Sequence, residues 1–244
     1  MKILCSMQAG STIGVFAILL ASSQLLASSF TVSPTRISLS KQQQAITVRL
    51  LNMGDQPVVV QAHVMAWSLR NNQDVYETSD DVLLNPPIFT LQPQKPQLMR
   101  LGLRKVTAGD DEIAYRLIVE EVPPVSKSGE IELRTILRIA IPIFVAPHGP
   151  PKAQLTWKAE SLASGQIKLT ATDTGNLHVQ VKQLTLDRSP SQGPPATKNV
   201  MEYLLPGKTA QWTFDGNGAS RTKLSLKGIT DAGDLSETLD VTSP

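Results

Sequence analysis

Residue types that usually carry covalent or metal chemistry are sparse in this chain. There are three histidines, His63, His148 and His178, and a single cysteine, Cys5. The histidines fall on a strand-like run, a proline-rich junction and a second strand-like run. No His-Glu-x-x-His, phosphate-binding lysine loop, Gly-x-Ser-x-Gly turn or cysteine pair is present. Gly216-Asn217-Gly218 precedes no helical pattern and reads as a turn. A Ser/His/Asp triad gathered from distant positions is the one catalytic arrangement that spacing alone does not decide. The expectation is therefore a chain that is not an enzyme, with no metal, no nucleotide and no other cofactor.

The spacing that does stand out is non-covalent. From Ile131 to Val145 the odd positions Ile131, Leu133, Leu137, Ile139, Ile141, Ile143 and Val145 are aliphatic, with Thr135 the one polar residue among them. Period-two alternation is the signature of a strand, whose successive side chains point to opposite faces. At roughly 3.3 Å per residue this strand would be about 50 Å long, well beyond the usual length. Pro142 has no N–H to donate, so the strand is expected to lie at a sheet edge there, or to bend. An aliphatic edge left open is an aggregation hazard unless it has a partner. The other reading is a long core strand buried on both faces.

The elements that position this strand are β throughout. Aromatics are only 5% of the chain, while 17 prolines and 15 glycines recur at short spacing, which favours many short strands separated by turns over helices. A formal charge of +2 gives no electrostatic case for nucleic acid. Lys2, the apolar run Ile13 to Ala21 and the small residues after it read as an export signal over 1–29, with cleavage after Ala27 or Ser29. Cys5 lies inside that segment, so the mature chain is expected to have no disulfide and to depend on core burial.

Phe30–Leu39, Ala45–Asn52, Val58–Trp67, Pro86–Leu91, Gln97–Leu103, Ile113–Val122 and the long strand give roughly seven strands, the count of an immunoglobulin-like sandwich. Pro34 marks an edge, or a switch between sheets. His63 and Trp67 read as inward packing of a half-buried strand. Ala146-Pro147-His148-Gly149-Pro150-Pro151 is the clearest boundary in the chain. The division expected is an N-terminal domain over 30–147, a linker over 148–151 and a second, smaller sandwich over 152–244. Strand-like runs in the latter include Lys152–Glu160, Gln166–Thr172, His178–Leu186 and Lys223–Lys227.

Taken in order, several segments resemble the periplasmic pilus chaperones of the chaperone-usher pathway. They are Val32-Ser33-Pro34-Thr35-Arg36, Gln61-Ala62 through Trp67, Asn85 to Leu91 and Met99-Arg100-Leu101, then Tyr115-Arg116-Leu117 running into Glu120-Glu121-Val122-Pro123-Pro124, and Ile141-Pro142-Ile143-Phe144-Val145-Ala146-Pro147. The resemblance implies an all-β fold of two immunoglobulin-like domains in an L shape, located in the periplasm. It also implies that the last strand of the first domain is lent to a pilin subunit lacking its own final strand. The donor residues would be Leu133, Thr135, Leu137 and Ile139, flanked by Ile131 and Ile141. The pilin would then pass, without ATP, to an outer-membrane usher; whether the free chain caps its own edge as a homodimer is left open by the sequence.

In the same family, basic residues between the domains hold the pilin's terminal carboxylate. Arg36 matches the first of these, but Pro142 stands where a lysine is usual. Arg116 is the substitute expected here, with Arg138 in reserve, because a guanidinium fork suits a carboxylate. The short segment Val125 to Glu130 resembles short-loop members, and Thr174-Gly175-Asn176-Leu177-His178 suggests the archaic subgroup. Two competing functions remain at this stage: a secreted adhesin or structural protein that self-assembles through the exposed strand, and a hydrolase built on a β-sandwich.

Overall fold

The computed structural model describes residues 30–105, 109–123, 135–187, 194–216 and 223–242. The expected export signal, the segment 125–130, Ile131 and Leu133 lie outside the described residues. Among those described there is no helix. The first part of the chain forms β1 (Phe30–Ser33), β2 (Ile37–Leu39), β3 (Ala45–Asn52), β4 (Val58–Arg70), β5 (Gln73–Thr78), β6 (Val82–Asn85), β7 (Ile88–Leu91), β8 (Pro96–Leu103), β9 (Ile113–Glu121) and β10 (Arg138–Val145). One sheet has the order β1-β3-β8-β6. The other has the order β2-β10-β9-β4-β5, with β7 also on β4.

Alternation explains how the two sheets share a core. Val48 and Leu50 of β3, Met99 and Leu101 of β8, Val60 of β4, Leu117 and Val119 of β9, and Ile141, Ile143 and Val145 of β10 all point inward and are buried. Fully burying such a side chain contributes roughly 1.5–3 kcal/mol. Asn52 is the fully buried polar residue of this core. Its Nδ2 donates to the carbonyls of Gln56 (2.7 Å) and Leu91 (3.1 Å), and its Oδ1 accepts from Gly54 N (2.9 Å), so it ties the 53–57 turn to β7.

The run expected as one strand over Phe30–Leu39 breaks at Pro34. β1 pairs with β3 in the first sheet, and β2 pairs in parallel with β10 in the second. Proline at that point lets the chain leave one ladder and enter the other. Of the strand expected over 131–145, residues 135–137 are described but are not part of a strand. Regular pairing begins at Arg138, opposite Glu120, and one further bond, Glu121 N to Leu137 O (3.0 Å), extends the ladder. Beyond Val122 the partner strand meets Pro123, which offers no N–H. β5 and β6 were not expected. β5 reads Gln-Asp-Val-Tyr-Glu-Thr and is largely exposed, and it is held by its hairpin ladder to β4 rather than by an apolar face.

The second part forms β11 (Leu155–Ser161), β12 (Gln166–Asp173), β13 (Val179–Asp187), β14 (Ala196–Leu204), β15 (Thr209–Asp215), β16 (Lys223–Thr230) and β17 (Asp234–Thr242). The ladders β14-β13-β16-β17 and β11-β12-β15 join through a short parallel contact of β11 with β17. They enclose a separate core that includes Leu169, Val181, Leu184, Leu204, Phe214 and Leu226.

The turn Asp173 to Asn176 fastens this second core to the first part of the chain. Asn176 Nδ2 donates to the carbonyls of Asp110 and Pro150 (3.2 Å each), and Asn176 Oδ1 accepts from Lys152 N (2.7 Å). Glu112 N donates to the Asn176 carbonyl (2.9 Å). A Cβ on Gly175 would overlap the Lys152 carbonyl oxygen and lie 2.8 Å from Gln154 N, so only glycine lets the turn sit this close to the linker. Gly175→Ala is expected to lower stability by roughly 1–3 kcal/mol. Urea unfolding of the full chain checks this, and an unchanged midpoint would show that the linker yields freely.

Asp173, 1% exposed, gives the same turn a pH dependence. Burial pushes its carboxyl up from 3.8 to about 6. The Glu112 and Asp111 charges add to the rise, while the Gly175 N–H bond and His178 oppose it. Because the folded carboxyl holds its proton more tightly than the unfolded one, stability is greatest below the unfolded value and is lost as pH climbs toward about 6. Asp173→Asn removes that loss. Relative to wild type it is expected to gain on the order of 2–3 kcal/mol between about pH 4 and about pH 7.5, read from urea midpoints at the two pH values.

Candidate functional site

Strand β10 has two faces and two edges, and each meets something different. Odd residues from Ile141 onward fill the first core, whereas Leu137 and Ile139 are half-buried at its rim and Thr135 is exposed. On one edge β9 pairs along the whole of β10. On the other, β2 pairs only with Ile143–Val145, and Ala146 N continues this contact to Leu39 O (2.9 Å). From Arg138 to Pro142 that second edge carries no strand among the described residues.

Which backbone groups the free edge presents follows from alternation. The Leu137 carbonyl bonds to β9 and the Ala146 amide bonds to β2. Even residues therefore turn their N–H and C=O away from β9. The free groups are those of Arg138 and Ala140; the Pro142 carbonyl lies at the start of the parallel ladder, where the Ile143–Ile37 register makes it the acceptor for Ile37 N. Pro142, opposite Arg116, lacks its N–H on the open side and so does not interrupt the β9 ladder. The edge position expected for Pro142 is where the proline lies.

The outward face of β10 carries Phe144 into a third apolar cluster with Trp67, Ala114 and Leu205, flanked by Tyr76 and Tyr203. This cluster joins the two parts of the chain. The Trp67 ring meets Tyr203 edge-on at 5.5 Å and Phe144 at 6.0 Å. Trp67 and Phe144 thus pack into the junction and not into the main core, which the alternation of β4 did not reveal. Trp67 Nε1 donates to Asp74 Oδ1 and the Tyr76 hydroxyl to Asp74 Oδ2, each at 2.8 Å.

Two guanidiniums converge on this aromatic wall. The Arg116 Cζ lies 3.7 Å from the Trp67 ring centroid and 5.5 Å from that of Tyr203. The Arg36 Cζ lies 5.7 Å from Tyr203 and 5.4 Å from Phe144. The Nε of each is buried without a hydrogen-bond partner. Arg116 lines a cleft of about 300 Å³ with Trp67, Asp74, Glu202, Tyr203 and Met201. Stacking on aromatic faces positions a planar cation while leaving its edge free to bond.

Arg36 is already engaged. Its Nη2 donates to Asp231 Oδ2 and contacts His178 Nε2 at 2.5 Å. The His178 ring lies flat on Phe144, with centroids 3.5 Å apart and planes 6° apart, and its Nδ1 bonds to Glu112 Oε2. Glu112 also accepts from His178 N (2.9 Å), and Asp231 Oδ1 accepts from Gln180 N (2.7 Å). Burial opposes the Asp231 charge, but its bonds to His178, Arg36 and Gln180 outweigh that and hold the carboxyl well below the usual range. Burial likewise pushes His178 down, yet Asp231 and Glu112 outweigh it and the pKa rises.

Of the residues expected at the site, Arg36 and Arg116 are brought together at the junction. Arg138 is not: it sits at the far end of β10, 57% exposed, with its Nε 3.7 Å from Glu120 Oε2. Ile141 is also displaced from its expected role, because it is only 2% exposed within its own core and cannot reach outward. Sequence reading missed Glu112, His178 and Asp231. Their available signal was positional, since Arg36, Glu112 and His178 each immediately precede a strand and Asp231 follows one.

Comparison with known proteins places this geometry in context. Residues 29–151 match the family model described as pili and flagellar-assembly chaperone, PapD N-terminal domain. The probable fimbrial chaperone YadV of Escherichia coli K12 is 24% identical over 183 residues, covering 70% of this chain and 74% of that one. The chaperone protein MrkB of Klebsiella pneumoniae is 31% identical over 121 residues, covering 47% and 49%. The fold matches that in the CsuC–CsuE chaperone–tip adhesion subunit pre-assembly complex of Acinetobacter baumannii. There the TM-score is 0.65 at 21% identity, covering 88% of this chain and 99% of that one.

Proposed function

The chain belongs to the pili and flagellar-assembly chaperone family, and on that premise we propose that it works by lending the open edge of β10 to a pilin subunit. It is a chaperone of pilus assembly, and its partners are pilin subunits. The observation that carries the proposed mechanism is the unpaired stretch Arg138–Pro142 beside half-buried Leu137 and Ile139.

Main-chain bonds from Arg138 and Ala140 would hold the subunit's open sheet edge, while Thr135, Leu137 and Ile139 enter its groove. Ile131 and Leu133 would extend the donor segment. Burial of each aliphatic contributes roughly 1.5–3 kcal/mol, so a few of them supply much of the hold. Thr135 contributes less, which favours later exchange of the bound subunit. The subunit's terminal carboxylate would bind at the junction between Arg116, which lines the cleft and also bonds Tyr76, and Arg36, whose Nη2 is bonded to Asp231. Binding and release of this kind need no covalent step and no ATP. The protein would act in the periplasm, without enzymatic activity, and pass its subunit to an outer-membrane usher. Family membership favours this reading over a self-assembling adhesin.

Co-expression with the pilins encoded beside it, followed by size-exclusion chromatography with intact-mass detection, is expected to give a one-to-one complex. Leu137→Asp should abolish that complex, because a charge would have to enter the apolar groove, and Arg116→Ala should weaken it. Survival of the Leu137→Asp complex would remove β10 from the donor role, and homopolymers without a second chain would favour the adhesin.

A further inference from the structure

Arg36 is the junction cation that contacts a titratable neighbour, and the charged groups around that neighbour can all be named. His178, from the start of β13, is 12% exposed. It faces Glu112 at the start of β9, Arg36 at the start of β2 and Asp231 after β16, with Asp173 at the end of β12 close enough to interact electrostatically. Its remaining neighbours are the rings of Phe144 on β10 and Tyr203 on β14. The two parts of the chain each contribute two of the four bonded side chains.

We propose that His178 is a positioning residue for Arg36, holding the guanidinium against Asp231 when the imidazole is neutral and releasing it toward the cleft when the imidazole is protonated. This rests on the reading above that Arg36 binds a carboxylate.

The argument is one of donors and acceptors. With His178 neutral, Nδ1–H donates to Glu112 and the Nε2 lone pair accepts from Arg36 Nη2 at 2.5 Å. Arg36 Nη2 then has two partners in the junction, His178 and Asp231. Protonation places a hydrogen on Nε2, so that donor faces donor and cation faces cation. The acceptor within reach of Nε2–H is Asp231 Oδ2, 3.6 Å away. Glu112–His178–Asp231 then closes the junction without Arg36, and the four groups change from a net single negative charge to neutrality. An Arg36 that has lost its imidazole partner and shares Asp231 with an imidazolium is free to take an outside carboxylate. Folded His178 has a raised pKa, so its hold across the junction is complete below its unfolded value and is lost as pH rises through the folded one. Acid therefore tightens the junction and exposes the anchor together.

The test uses the full chain with acetate ion as the carboxylate probe, at about pH 5.5 and about pH 8 and equal acetate-ion concentration. The Arg36 guanidinium carbon resonance, assigned by its loss in Arg36→Lys, is followed by NMR together with the His178 ring nitrogens. The expected result is an Arg36 response several-fold larger at the lower pH, with Nε2 of His178 unprotonated at the higher one. His178→Gln, which keeps a neutral polar side chain, should make the response independent of pH; if that variant does not fold, the wild-type comparison still decides. An equal Arg36 response at both pH values, or Nε2 protonated at about pH 8, overturns the inference and leaves the anchor intact. No Arg36 response at either pH overturns the anchor assignment and the inference with it.

Discussion

One constraint organises the molecule: β10 is hydrogen-bonded along its full length on one edge and along only its final residues on the other. A strand's two faces and two edges are fixed by backbone geometry, so a single segment can meet four different surroundings without conflict. Here the odd face from Ile141 to Val145 belongs to the core, and Phe144 on the even face belongs to the junction. One edge belongs to β9, and part of the other carries no strand among the described residues. The core residues keep the strand rigid, which lowers the entropy that a partner must overcome on pairing with it.

The junction is built as buried charges require. Glu112 is 7% exposed and Asp231 14%, and both would be costly there without bonded partners. Each receives a backbone amide as well as a side-chain donor. His178 serves both carboxylates, and it can do so because its ring is fixed flat against Phe144. The strand proposed to hold the subunit therefore also fixes the orientation of the histidine that contacts Arg36. The proposed donor edge and the proposed anchor would thus share one rigid element.

Much of the fold could be read in the sequence because it rests on period two. β3, with its clean alternation, was expected over the residues it occupies, and the proline-bounded runs fell within a few residues of their observed ends. β5 escaped because a polar, exposed hairpin strand is specified by its partner's ladder and carries little pattern of its own. That residues 135–137 fall outside β10 has a related cause. Aliphatic alternation marks which residues suit a sheet, but it does not show where the neighbouring strand stops. At the site, Arg36 and Arg116 were accessible through resemblance, whereas Glu112, His178 and Asp231 were not. Their meeting depends on how two separately folded cores abut, and no local period records that. Ile141 suited either an outward or an inward role by pattern, and only packing decides between them.

An open aliphatic edge also has to avoid pairing with copies of itself. Charges and proline are the usual devices, and β10 carries both at the ends of its free stretch. Arg138 is exposed at one end and Pro142 removes a donor at the other. Two copies meeting edge to edge in antiparallel register would share only a short run of bonds between these ends, and the Pro142 of each would leave a carbonyl of the other unanswered. A subunit that offers a deep apolar groove gains side-chain burial that a second copy of β10 does not provide, since Ile141 and the odd residues after it are already committed to their own core. On the proposed mechanism, discrimination between subunit and self would come less from the hydrogen bonds, which any edge can make, than from Leu137 and Ile139, which stand half-buried at the rim and would gain burial in a partner's groove.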